Sequence, residues 1–275
     1  MNENIISKEI QQIKTNLERN KVNLPIGKLI RSKLGFLMLK ALNQPINDNH
    51  INFLTAIELI HNASLLHDDV IDNDKTRRNE LSKNELLGNK TAILLGNLTL
   101  TNAVEYLLKT NSLQLVSIIN NTIQQMCKGE LIQKAQENNI PTIEDYIQKT
   151  YLKTGTLFEG TIKGVLEIST IKNSKLIDFA KNIGILFQIN NDIKNLEKDI
   201  TNGIYTLPII FSNSINISKN SIEKTLSLID NYTSNAIQAL SCLGESEYKK
   251  SLIGVVECLK ISEINITNLE KNTQI

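Results

Sequence analysis

The chain has 275 residues, 41% of them hydrophobic, with 30 basic and 29 acidic side chains and a net charge of +1. That is apolar content for one large core or two modest domains, and a balance too even to attract nucleic acid or an anionic membrane through a global field. Phosphate binding, if present, must be local, and no nucleic-acid partner is expected.

Only four prolines interrupt the chain, and apolar residues recur at three- and four-residue spacing, as Phe53, Ile57, Ile60, Leu65 and Val70 do. The reading is all-α, with no period-two strand. The spacing predicts helices near 3–19, 25–43, 50–73, 90–109, 112–138, 142–169 and 173–198, and shorter ones after Leu207. Thr142, three positions before Asp145, is placed to cap the sixth. We expect one all-helical domain over 1–275. The N-terminus lacks the pattern of a secretory signal, and no apolar run approaches the roughly 20 residues that cross a bilayer. Cys127, Cys242 and Cys258 are odd in number and lack metal-ligand spacing, so neither disulfides nor a zinc site is expected, and a reducing cytoplasm is.

Arginine occurs only at 19, 31, 77 and 78; lysine supplies the other 26 basic residues. Its planar fork suits bidentate phosphate binding, which an ammonium performs poorly. Two of the four follow the acidic stretch "HDDVIDNDKTRR". Asp68 and Asp72 lie about 6 Å apart along a helix axis, one above the other. So placed they can hold a hard cation such as magnesium, which takes one or two carboxylates plus phosphate oxygens. His61 lies on the same stripe. An isolated DDxxD is more often an acidic helix end in water. The adjoining guanidiniums shift the reading toward a diphosphate with its magnesium ions, with Asp74 solvated. In "PIGKLIRSKL", Lys28 and Arg31 fall three apart on one expected helical face.

"GKLIR", "ELIHNASLLHDDVID" followed by "RR", "GE" at Gly129 and Glu130, "KTGTLF" from Lys153, "FQI" from Phe187 and "TLP" from Thr206 resemble, in order and spacing, the trans-isoprenyl diphosphate synthases (the polyprenyl synthetase family). The resemblance runs from about residue 25 to about residue 210. It implies an isoprenoid-synthase-type helical bundle around a deep apolar cavity, and a magnesium-dependent condensation of isopentenyl diphosphate with an allylic diphosphate. Up to three ions would take part. Asp68, Asp69 and Asp72 match the first aspartate-rich motif. Lys28, Arg31, His61 and Arg78 match the isopentenyl diphosphate positions, and Arg77 one that reaches the allylic diphosphate. Lys153, Thr154 and Gln188 match residues beside the leaving group and the developing carbocation.

The second aspartate-rich motif departs from the pattern. It reads "NNDIKN", with Asn191 and Asn195 in place of the outer aspartates and Asp192 retained, and the lysine expected two before the "TLP" threonine is Ile204. The three positions stay candidate metal ligands. Asn191, Asn195 and Asp199 also fall at four-residue steps, loosely resembling the metal triad of class I terpene cyclases. Three readings stay open: a prenyl elongase; an enzyme that ionises an allylic diphosphate without isopentenyl diphosphate; and a weakly active or regulatory subunit of a heteromeric synthase. Small Ala63 and Ser64 before the first motif imply a product of C20 or longer, unless residues near Leu98 to Asn102 close the pocket. The resemblance further implies a homodimer, for which 90–109 and 112–138 are the expected interface.

Overall fold

The computed structural model describes residues 3–19, 26–78 and 80–259. A 3-10 turn, Glu3–Ile6, leads into α1 (Ser7–Arg19), followed by α2 (Ile30–Ala41), α3 (Asp48–Ile71), α4 (Lys83–Leu87), α5 (Asn89–Leu108), α6 (Leu113–Ala135), α7 (Ile143–Thr150) and α8 (Thr156–Ile168). Then come α9 (Ser174–Lys194), α10 (Leu196–Thr201), α11 (Leu207–Ser212), α12 (Lys219–Ala239) and α13 (Glu247–Cys258). Apart from one minimal hairpin, the described residues are all-α.

Those residues fall into two compact units, one of 3–118 with 163–172, the other of 119–162 with 173–259. In the first, α3 packs along α5 and also meets α1 and α2. Gly35 and Gly164 permit the close approaches: a Cβ on Gly35 would meet Leu54 at 2.8 Å, and one on Gly164 would meet the Phe53 ring at 1.9 Å. In the second unit, α9 packs on α12 and on the turn before α8, around Phe158, Phe179, Ile183 and Leu186.

Asn47 starts α3 by accepting from the His50 backbone N–H at 3.2 Å, while the His50 ring nitrogen Nδ1 accepts from the Asn47 N–H at 3.3 Å. The other ring nitrogen lies 3.2 Å from the Ser169 hydroxyl. With Nδ1 accepting, the ring must be neutral, and burial pulls its pKa down to about 4. The unfolded chain, with an ordinary histidine, therefore binds more protons below about pH 6.5. The stability this contributes is present above pH 6.5 and is lost as pH falls toward 4. Urea midpoints should drop from pH 7 to pH 5, and less so in His50→Asn; a parallel drop in both would remove His50 as the cause.

Sequence spacing misses four features. The expected 25–43 helix starts at Ile30, because Leu29 is left-handed at φ 52° and blocks any earlier turn; residues 20–25 lie outside the described ones. Thr76–Arg77 and Glu80–Leu81 pair antiparallel, against the expectation of no strand. Two residues a side are too short to register as alternation. The single helix expected over 142–169 is interrupted by a π turn at Tyr151–Gly155, and that over 173–198 ends at Lys194, where Asn195 leaves helical geometry at φ −106° and ψ 13°. Asp199 therefore belongs to α10, not to a continuous face with Asn191 and Asn195. Thr142 caps α7 as its spacing predicts, accepting from the Asp145 N–H at 3.1 Å. The three cysteines are free thiols.

Candidate functional site

In the first unit the C-terminal turn of α3 presents Asp68 and Asp72, both half-buried, with the Asp72 N–H donating to the Asp68 carbonyl at 2.8 Å. Unsatisfied carbonyls at a helix C-terminus add negative potential to two carboxylates stacked one turn apart. This donor set fits a hard divalent cation that keeps part of its water shell.

Asp69 and Asp74 do something else. Asp69 is buried, and its Oδ1 accepts from Arg77 Nε at 2.7 Å and from Arg77 Nη2. Asp74 is only 8% exposed and takes Arg77 Nη2 at 3.1 Å. The expectation that Asp74 is solvated is thus corrected: the 73–82 loop folds its carboxylate inward to share Arg77. The loop is tied down by Asn84 Nδ2, which donates to the carbonyls of Asp69 and Asp74 at 3.0 Å each, and by the Ser82 hydroxyl, which donates to Asp74 at 2.6 Å. Burial works against the Arg77 charge, but the bond to Asp69, then the charges of Asp69, Asp74 and Asp68, hold its pKa above the ordinary value.

Arg31 is buried at the start of α2, and burial brings its pKa down to about 10 against the pull of Glu58. Lys28 is exposed and precedes the helix, so the two do not form the one-face pair expected. Arg78, itself left-handed at φ 55°, lies on the backbone of Gly27, where a Cβ would meet its Nη2 at 2.4 Å. The glycine of "GKLIR" thus leaves room for the second arginine of "TRR". The pKa of His61 is pushed well below the ordinary range by burial, then by Arg31, Arg78 and Arg77. The ring is neutral near pH 7, amid three of the chain's four guanidiniums. A shallow cleft here is lined by Asn62, Leu65, Asp69, Arg77, Arg78 and Ser82, among others.

The sequence reading missed Glu58. Only 3% exposed, it accepts from the Ser32 N–H at 3.0 Å and the Ser32 hydroxyl at 2.9 Å. The N-terminus of α2 has no side-chain cap of its own, so Glu58 supplies one from α3. One acid in the apolar run "INFLTAIELIH" was the available signal.

In the second unit the π turn carries Lys153 and Thr154. Lys153 pairs with Glu130 at 2.7 Å. Gly129 lets the backbones meet, since a Cβ there would touch Lys153 N at 2.4 Å. The Thr154 hydroxyl donates to Gln188 Oε1 at 2.6 Å, and Gln188 Nε2 donates to Asp192 Oδ1 at 2.6 Å. Asp192 Oδ2 accepts from the Tyr146 hydroxyl at 2.6 Å. Burial, then the Asp192 charge, raises the Tyr146 pKa well above its usual range and that of Asp199 to about 7. Asn191 is half-buried and Asn195 exposed. Among the described residues no three His, Cys, Asp or Glu side chains come together as a metal-binding cluster. Tyr146 and Lys149, buried on α7, also escaped the sequence reading; their places seven and four before Lys153 were the only hint.

A family model described as "Polyprenyl synthetase" matches residues 14–242. The chain is 30% identical over 266 residues to a decaprenyl-diphosphate synthase of Dictyostelium discoideum, covering 82% of this chain and 58% of that protein. To a prenyl transferase of Cyanidium caldarium it is 30% identical over 310 residues, covering 90% and 96%. It thus spans under two thirds of the first relative's length and nearly all of the second's. The crystal structure of heptaprenyl diphosphate synthase from Staphylococcus aureus superposes with a TM-score of 0.83 at 25% identity, over 93% of this chain and 98% of that one.

Proposed function

The chain belongs to the polyprenyl synthetase family and has its all-α isoprenoid-synthase fold, and we propose that it condenses isopentenyl diphosphate with an allylic diphosphate to give a longer trans-polyprenyl diphosphate, C20 or longer. The observation that carries this reading is the gathering of Arg31, Arg77 and Arg78 around a neutral His61, beside the half-buried pair Asp68 and Asp72. Asp68 and Asp72 would hold magnesium, which when bound draws charge from the departing diphosphate. Arg77, oriented by Asp69 and Asp74, presents a fixed guanidinium to the allylic diphosphate. Arg31, Arg78, His61 and exposed Lys28 hold isopentenyl diphosphate; neutral His61 can donate one hydrogen bond without adding repulsion among the arginines. In the second unit Thr154 and Gln188 hold each other as oriented dipoles, which suits the role that the family resemblance gives them toward the developing charge. We read residues 1–275 as one prenyl synthase-like domain in a reducing aqueous compartment, the cytoplasm. Among the described residues no helix is long and apolar enough to cross a membrane.

Incubation with magnesium, labelled isopentenyl diphosphate and farnesyl diphosphate tests the reading. Elongated labelled diphosphate is expected; with geranyl diphosphate in place of farnesyl diphosphate, a labelled product that stops at farnesyl length would contradict the chain length. A hydrocarbon or alcohol without label would indicate an enzyme that ionises the allylic substrate alone, for which Lys28, Arg31, His61 and Arg78 would have no use. A second reading, a weakly active or regulatory subunit, is favoured by the engagement of both Asp192 oxygens within the protein. It predicts no turnover until a partner chain is added.

For assembly we propose a homodimer through α5 and α6. Leu94, Leu98, Val104 and Leu108 form a stripe along α5 that is left 44–67% exposed, which a monomer rarely leaves uncovered; Leu131 of α6 is itself 70% exposed. Leu94→Glu with Leu98→Glu should halve the mass measured by sedimentation equilibrium. An unchanged mass would move the interface elsewhere.

A further inference from the structure

We propose that the Lys149 ammonium, rather than a magnesium ion, is the positive charge that the degenerate second motif offers to a diphosphate. This rests on the functional reading above and departs from its family pattern at one position. Lys149 is 4% exposed. Among the described residues its Nζ has neither hydrogen bond nor ion pair; it lies over the Tyr146 ring, 4.8 Å from the centroid. A buried ammonium in this state is costly. Burial lowers its pKa, while Asp192 at longer range works to keep it charged, as do Asp199 and Glu130; Lys153 opposes them. Such an ammonium is poised for an incoming anion.

The same neighbourhood does not fit a magnesium ion. Asp192 is the only carboxylate left in the motif, and each of its oxygens already accepts from a protein donor at 2.6 Å, Gln188 Nε2 on one and the Tyr146 hydroxyl on the other. Displacing those donors would leave a half-buried amide and a buried phenol unsatisfied. Asn191 and Asn195 bring no charge, and Asp199 sits on another helix. Magnesium gives up water reluctantly and needs charged oxygen to do so. The Lys149 charge, acting at longer range, further weakens the pull of Asp192 on a divalent ion. Lys153 is committed to Glu130 at 2.7 Å, which leaves Lys149 as the buried lysine open to a phosphate among the described residues.

The test counts bound Mn2+ by electron paramagnetic resonance in saturating inorganic diphosphate, and measures diphosphate affinity by calorimetry. Lys149→Met should weaken diphosphate binding about tenfold, leave the Mn2+ count unchanged, and keep or raise Tm, because an apolar near-isostere replaces a buried charge. Lys149→Arg should restore most of the affinity. Lys149→Met combined with Asn191→Asp and Asn195→Asp should bind one Mn2+ more than the parent. Unchanged affinity in Lys149→Met overturns the proposal, as does a parent Mn2+ count equal to that of the triple variant. A parent that binds no diphosphate overturns the functional reading and this inference together; a parent that binds it indifferently to Lys149 overturns the lysine alone. Should Lys149→Met fold poorly, Lys149→Gln carries the same affinity comparison.

Discussion

Asp68→Asn is expected to lower kcat for isopentenyl transfer about a thousandfold at saturating magnesium, on the order of 4 kcal/mol of transition-state stabilisation. The substitution keeps the shape and removes one of the two charges that would hold the ion on the diphosphate. Because Asp68 is half-buried at a helix end, the variant should fold, with an unchanged circular dichroism spectrum and Tm. Asp72→Asn should do the same. The double variant should be little worse than either, since both act through one ion and such effects are not additive. Steady-state rates with labelled substrate decide it: a loss under about threefold in either single variant would remove the pair from the metal site.

Glu58→Leu should give the largest loss of stability among single changes in this region, about 3 kcal/mol by urea unfolding. It leaves Arg31 buried without the carboxylate beside it and the α2 N-terminus without an acceptor for the Ser32 N–H. Glu58→Gln separates the two roles. Its amide oxygen can still accept from Ser32, so most stability returns, while the charge facing Arg31 and Arg78 does not. KM for isopentenyl diphosphate should therefore change in Glu58→Gln with KM for the allylic substrate constant. Equal movement of both constants would reduce Glu58 to a structural role.

Much of the site was legible because it is local. Asp68 and Asp72 lie one helical turn apart and Arg77 and Arg78 follow within ten residues, so spacing alone brings metal-loving oxygens and phosphate-loving guanidiniums together. Lys28 and Arg31 were legible as residue types but not as a geometry, because left-handed Leu29 separates them. Asp74 was misread for a related reason: a charge in a polar loop is solvated unless the loop turns back, and the turn depends on Asn84 and Ser82, which no periodicity marks.

By itself, the sequence determined the helical content, the first aspartate motif and the loss of charge at Asn191 and Asn195, since these follow from residue type and from spacing within a few turns. Only the tertiary structure decided that Glu58 serves Ser32, that Gly27 makes room for Arg78, and that Asp192 is claimed by Tyr146 and Gln188 while Lys149 lies buried nearby. Glu58 to Ser32, Gly27 to Arg78 and Tyr146 to Asp192 join residues 26 to 51 positions apart. Helical periodicity fixes which face a side chain occupies, but its partner across the chain is set by packing.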